Sequence, residues 1–85
     1  MRLELDPQAL EDLRYWIKAD TRKSRKILDL IDAALRDPFS GIGKPEPLKY
    51  DLAGCWSRRI DQEHRLVYQV QNEALIVLSC RYHYQ

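Results

Sequence analysis

With 85 residues, 45% of them hydrophobic and 32% charged, the chain has the composition of one globular domain: too short for two cores and too apolar for a disordered segment. Its net charge of +1 excludes a global basic field, so any binding of nucleic acid or membrane must come from a local cluster. The longest apolar run, Ala74 to Leu78, falls far short of the ~20 residues of a membrane-spanning helix.

Glu4 and Asp6 near the start are unlike the basic opening of a secretory signal. Cys55 and Cys80 form neither a disulfide framework nor a metal-ligand spacing. Both are expected to be reduced, in a cytoplasmic protein. Arg2 to Leu5 alternates as a short strand would, with Leu3 and Leu5 inward. Asp6-Pro7 reads as an N-cap followed by proline at the first helical position. Leu10, Leu13 and Ile17, with Trp16 beside them, predict a helix from Pro7 to about Ala19. Asp20 or Thr21 caps a second helix, whose stripe is Ile27, Leu28, Ile31, Ala34 and Leu35 and which Asp37-Pro38 ends. So short a link predicts a helical hairpin. The second helix opens with Arg22, Lys23, Arg25 and Lys26, read first as a solvated face and only secondarily as RNA contacts.

Phe39 to Pro47 is a loop punctuated by Gly41, Gly43, Pro45 and Pro47, and Leu48 to Tyr50 a short strand before a turn at Asp51 to Gly54. Two β-prone runs then flank Asp61-Gln62-Glu63-His64, predicting an antiparallel hairpin from Trp56 to Tyr68. Period-two alternation puts Trp56 and Ile60 on one face of the first strand and Ser57 and Arg59 on the other. In the second strand Leu66, Tyr68 and Val70 oppose Arg65, Val67 and Gln69. Arg58 shares the core parity and is expected at a sheet edge with its guanidinium in water; His64 is expected to be solvated, and Trp56 to lie in the core. After a turn near Gln71-Asn72-Glu73, a last strand runs from Ala74 to about His83, with Ile76, Leu78, Cys80 and Tyr82 on one face and Ser79, Arg81 and His83 on the other. The predicted architecture is α+β, one domain over residues 1–85: an N-terminal helical hairpin packed on one face of a twisted antiparallel sheet.

With the apolar sides turned to the helices, the open face is predicted to gather Arg59, Arg65, Arg81 and His83, and the preceding loop to add Lys44, Glu46 and Lys49. Phosphodiester cleavage needs those parts: a base, an acid, and cations for the charge that builds up. RNA carries its own nucleophile, the ribose 2′-hydroxyl. A bound metal is not expected, since His64 and His83 are the only histidines and neither has a carboxylate or cysteine at a ligand spacing. The competing reading for the arginines is cross-strand pairing with Asp61, Glu63 or Glu73, each pair contributing ~1 kcal/mol or less. Prolines on both sides of Glu46 stiffen its backbone, which suits a group that must point one way.

Lys44-Pro45-Glu46-Pro47-Leu48-Lys49, Gly54, Trp56-Ser57-Arg58-Arg59-Ile60, Glu63-His64-Arg65-Leu66-Val67-Tyr68 and Cys80-Arg81-Tyr82-His83-Tyr84 together resemble the YoeB toxins, within the wider RelE group of bacterial toxin–antitoxin ribonucleases. The match is dense from Pro38 to Tyr84; over the helices it is a matching pattern plus Tyr15-Trp16. The resemblance implies a type II toxin that enters the ribosomal A site and cuts messenger RNA there, held inactive by a YefM-type antitoxin. It implies Glu46 as general base, His83 as general acid and Arg65 as the transition-state arginine, supported by Lys49, Arg59 and Tyr84. Lys44 and Arg81 are expected as further RNA contacts. No cofactor is implied, and a homodimer is compatible with the reading. Tyr50 stands where the family often has histidine, Cys55 where phenylalanine is common, and Gln85 follows the His-Tyr pair that often ends these chains. Two other classes remain open: a ParE-like inhibitor of DNA gyrase, and a non-catalytic RNA-binding module.

Overall fold

The computed structural model describes residues 1–82. The first strand, β1 (Arg2–Leu5), leads through Asp6, whose carboxylate accepts the Gln8 N–H, into helix α1 (Pro7–Ala19). Asp20 alone separates α1 from helix α2 (Thr21–Arg36): its backbone N–H closes the first helix on the Trp16 carbonyl, and its carboxylate caps the second by accepting the Arg22 N–H. A two-residue strand β2 (Glu46–Pro47), a 3-10 turn (Tyr50–Leu52), and strands β3 (Trp56–Arg59), β4 (Arg65–Gln71) and β5 (Ala74–Ser79) follow. The sheet order is β1-β5-β4-β3-β2. Both expected hairpins are present, β3–β4 and β4–β5, and the second turns on Asn72 and Glu73, both in the left-handed region at φ 53° and 59°. The sheet is antiparallel from β2 to β5, and β1 adds to its edge parallel to β5.

The helices cover one face. Ala9 and Trp16 of α1 and Ile27, Leu30, Ile31 and Ala34 of α2 pack on Leu66 and Tyr68 of β4, Leu75 and Val77 of β5, and on Ile60 and Cys80. On the opposite face Leu48, Cys55 and Val67 form a smaller cluster with Leu52 and Leu78. Cys55 and Cys80 are thus free thiols buried in separate clusters. Burial, followed by the neighbouring Asp12 carboxylate, pushes the Cys80 thiol up to about 12.

Several predicted faces are corrected. Leu10 and Ile17 are exposed because α1 is turned to bury Asp12: its carboxylate accepts the Cys80 N–H at 2.9 Å, while Trp16 Nε1 donates to the Cys80 carbonyl at 2.8 Å. In α2 the buried leucine is Leu30, three residues on from Ile27, and Leu28 faces outward. Leu3 and Leu5 are exposed, since the edge strand β1 lies beyond the reach of the helices' apolar faces. Leu48 to Tyr50 forms no strand; the pairing ends at Pro47, and Tyr50, at φ 58°, turns the chain into the 3-10 segment. Strand β5 ends at Ser79. A bulge between the Val67–Ser79 and Tyr68–Val77 pairs shifts its alternation, so Leu75 and Val77 meet the helices together with Cys80, and Ile76 and Leu78 do not.

Arg58 is the largest correction. It is fully buried under the C-terminus of α2. Its Nε donates to the Tyr68 hydroxyl (2.9 Å), its Nη1 to the Ile42 carbonyl (2.9 Å), and its Nη2 to the carbonyls of Asp37 (2.7 Å) and Ser40 (2.9 Å). The Tyr68 hydroxyl in turn donates to the Pro38 carbonyl at 2.6 Å. Core parity therefore holds, and a chain end of carbonyls receives the charge that water was expected to receive. This knot shapes residues 37–43, the loop that delivers the chain to Glu46.

Candidate active-site face

Strand register settles which side chains share a face. Glu46 is opposite Ser57, Ser57 opposite Val67, and Arg59 opposite Arg65. Directly paired residues, and residues two apart in one strand, point the same way. Glu46, Ser57, Arg59, Arg65 and Val67 therefore lie on one side of the sheet, away from the helices. Two strands across and two residues along separate Glu46 from Arg65 by about 12 Å between Cα atoms, with Arg59 nearer the acid.

The backbone around Glu46 is held by its neighbours. Pro45 and Pro47 fix φ on either side, and a proline at position 47 is tolerated because β2 is an edge strand. Lys44 (φ 51°) and Tyr50 (φ 58°) bracket the segment in the left-handed region, which side chains other than glycine rarely adopt. Such strain collects where a surrounding structure over-determines the backbone. The Arg59 N–H anchors the preceding loop by donating to the Gly43 carbonyl at 2.7 Å. Glu46, Lys44 and Lys49 are all exposed, and a hollow of about 360 Å³ lies along Glu46 to Leu52.

Arg59 and Arg65 face each other as like charges, an arrangement that destabilises a sheet unless something neutralises it. Among the described residues neither makes an ion pair with a carboxylate, so the cross-strand pairing considered from sequence does not occur there. Arg65 is half-buried, and its Nη1 donates to the Asp61 carbonyl (2.6 Å) and the His64 carbonyl (3.1 Å). That aims the guanidinium while leaving its other N–H groups without a partner among the described residues.

His64 is buried rather than solvated. Its ring meets Trp16 edge-on at 4.8 Å, and its Nδ1 accepts the Tyr82 N–H at 2.7 Å. The Tyr82 carbonyl accepts the Arg65 N–H at 3.1 Å. Nothing local in the sequence marks this residue, because its partners lie on α1 and 18 positions downstream.

Arg81 does not join the face. Cys80 is bonded to Asp12 and Trp16, which draws the chain off the sheet toward α1, and the Arg81 guanidinium lies 3.5 Å above the Tyr15 ring. It lines a groove of about 630 Å³ with Gln8, Glu11 and Arg14. Of the remaining predicted site residues, His83 and Tyr84 lie outside the described residues. The basic run of α2 is a surface, with Arg22, Arg25 and Lys26 exposed and Lys23 paired to Asp61 at 2.9 Å.

Residues 5–84 match the family described as the YoeB-like toxin of bacterial type II toxin–antitoxin systems. The toxin YoeB of Mycobacterium bovis is 54% identical over 82 residues, 96% of each chain. A solved YoeB/ParE toxin from Agrobacterium tumefaciens superposes with a TM-score of 0.95 at 50% identity, covering 99% of this chain and 100% of that one. The toxin of a heterotetrameric YoeB–YefM toxin–antitoxin complex from Staphylococcus aureus superposes with a TM-score of 0.88 at 44% identity, over 99% of this chain and 98% of that one.

Proposed function

The chain belongs to the YoeB-like toxins of bacterial type II toxin–antitoxin systems, and on that premise we propose that it is a ribosome-dependent endoribonuclease that cuts messenger RNA in the A site. The observation that carries this reading is the register of β2, β3 and β4, which sets on one sheet face a braced carboxylate and two opposed guanidinium groups that have no carboxylate partner among the described residues. An RNA phosphate between them relieves the repulsion of Arg59 and Arg65 and comes within reach of Glu46.

Glu46 takes the proton from the 2′-hydroxyl, whose oxygen attacks the adjacent phosphorus in line. Arg65, with Arg59 and Lys49, stabilises the dianionic transition state, and Lys44 holds the neighbouring backbone. The bond from phosphorus to the 5′-oxygen breaks as protonated His83 gives that oxygen its proton, with Tyr84 in support. The products are a 2′,3′-cyclic phosphate and a 5′-hydroxyl. Acid and base each contribute ~10²–10⁴-fold, and one electrostatic donor ~10²–10³-fold. The attacking oxygen is the substrate's own, so no metal-activated water enters the reaction.

Aligning nucleophile and leaving group in a flexible strand is worth ~7–11 kcal/mol. A face built from three short strands offers little to grip several nucleotides, and a ribosome that already bends the message supplies what the toxin lacks. A cytoplasmic location follows from that substrate. The YefM of the S. aureus complex supports a YefM-type antitoxin as the inhibiting partner here.

The test is cleavage of ribosome-bound message with mapping of the new ends. A kinase should label the 5′ ends directly, without phosphatase treatment. Glu46→Ala, Arg65→Ala and His83→Ala should each reduce the rate at least ~10²-fold in proteins that remain folded. A 5′-phosphate product, or an Arg65→Ala protein of full activity, would overturn the proposal.

A further inference from the structure

We infer that His64 is a positioning residue for the cleavage reaction, holding the chain end that leads to His83 in register with Arg65. The inference rests on the ribonuclease reading above, but its geometry stands apart from it. Tyr82 is fastened at both of its backbone polar groups to two consecutive residues, His64 just before β4 and Arg65 at its start. Its N–H donates to His64 Nδ1 at 2.7 Å, and its carbonyl accepts the Arg65 N–H at 3.1 Å. Holding both the N–H and the carbonyl of Tyr82 fixes the orientation of its backbone at the end of the described chain. Tyr82 itself sits in the left-handed region at φ 64°, a conformation that needs such holding in a residue other than glycine.

His64 acts on the other partner as well. Its carbonyl accepts from Arg65 Nη1 (3.1 Å) and from the N–H groups of Ile60 (3.0 Å) and Asp61 (3.3 Å), and its own N–H donates to Asp61 Oδ1 (2.7 Å). One residue therefore aims the Arg65 guanidinium through its backbone and tethers the terminal segment through its ring. The ring is locked against Trp16 and faces Tyr82 at 5.5 Å. Its Nδ1 must be unprotonated to accept the amide, which places the neutral ring's proton on Nε2.

Two substitutions separate the acceptor from the packing. His64→Asn presents an oxygen on the same Cγ that carries Nδ1, so it retains an acceptor and loses most of the ring. His64→Phe retains the ring against Trp16 and loses the acceptor. On ribosome-bound message, His64→Phe should lower kcat by about 10²-fold with little change in KM, the effect of a reacting group displaced by about 1 Å. His64→Asn should recover most of that loss. Independently of RNA, amide exchange at Tyr82 should be at least ~10-fold faster in His64→Phe than in wild type and close to wild type in His64→Asn.

A His64→Phe protein with wild-type kcat, or a His64→Asn protein no better than it, would overturn the inference. Wild-type protein that leaves ribosome-bound message intact defeats the ribonuclease reading instead. In that event the Tyr82 exchange rates alone decide whether His64 holds the chain end.

Discussion

The helix-covered face of the sheet and the face opposite it receive alternate residues of the same strands, and Arg58 and Arg59 show how far apart two neighbours can be sent. Arg58 is fully buried and spends its donors on the Tyr68 hydroxyl and the carbonyls of Asp37, Ser40 and Ile42. Arg59 is exposed, and among the described residues only its backbone is engaged, through the Gly43 carbonyl. The first guanidinium organises protein; the second stands exposed on the face proposed to meet RNA. Identical chemistry is thus buried as scaffold or left exposed according to a period of two.

Mutating the pair breaks the comparison most sharply. Arg58→Ala leaves a buried phenol and three carbonyls without their donor, and we expect it to lose about 3–5 kcal/mol of stability by urea unfolding, as for removal of one partner from a buried charged network. Arg59→Ala should stay within about 0.5 kcal/mol of wild type in the same measurement and yet slow cleavage. If the two variants unfold alike, the division of labour between the faces is wrong.

Gly43 is where the two regions touch, and it gives the next largest effect. Its φ is +83°, a Cβ added there would stand 2.7 Å from Leu30 Cδ2 and 3.1 Å from Arg58 Cβ, and its carbonyl accepts the Arg59 N–H. Gly43→Ala therefore combines left-handed strain with overpacking, and should cost about 2–3 kcal/mol. Because the displaced segment runs directly into Lys44 and Glu46, cleavage should fall as well. A stable, fully active Gly43→Ala protein would show that the loop is not positioned from the helical side.

What could be read from sequence follows the same division. The helices announced themselves through Asp6-Pro7 and Asp20, and the hairpin through alternation on either side of Asp61 to His64, because caps and periodicity are local properties. Arg59 and Arg65 were placed on one face by parity alone, whereas Glu46, expected in the loop before them, proves to pair with Ser57 as part of β2. Arg58 also had its parity right, but its destination was not legible: the carbonyls that receive it belong to a loop 16 to 21 residues earlier. Arg81 was misplaced because period two runs on past Ser79 on paper, whereas the bulge in β5 and the bonds from Asp12 and Trp16 to Cys80 end the strand. His64 escaped for the same reason. A histidine in a polar turn looks solvated until the tertiary partners of its ring are known.

The smallest expected effect concerns the turn that connects β3 to β4, where α2 reaches across to the hairpin. Burial raises the Asp61 carboxyl, but the Lys23 ammonium at 2.9 Å and the N–H groups of Glu63 and His64 outweigh it and bring it from 3.8 down to about 2. Lys23 is correspondingly held above its usual value, chiefly by its hydrogen bond to Asp61. A carboxylate with a lowered folded value contributes stability that is complete above about pH 4 and lost as pH falls toward 2. The pair is partly exposed, so screening by water reduces its worth to about 1 kcal/mol. Asp61→Asn keeps an Oδ1 acceptor for the amides of Glu63 and His64 and removes the charge that Lys23 pairs with. It should therefore unfold about 1 kcal/mol more easily than wild type at pH 7, with the gap narrowing below about pH 4 and closing as pH falls through about 2. A difference that persists undiminished at pH 2 would mean that the amides, rather than the ion pair, tie the hairpin turn to α2, and with it the residue that aims Arg65.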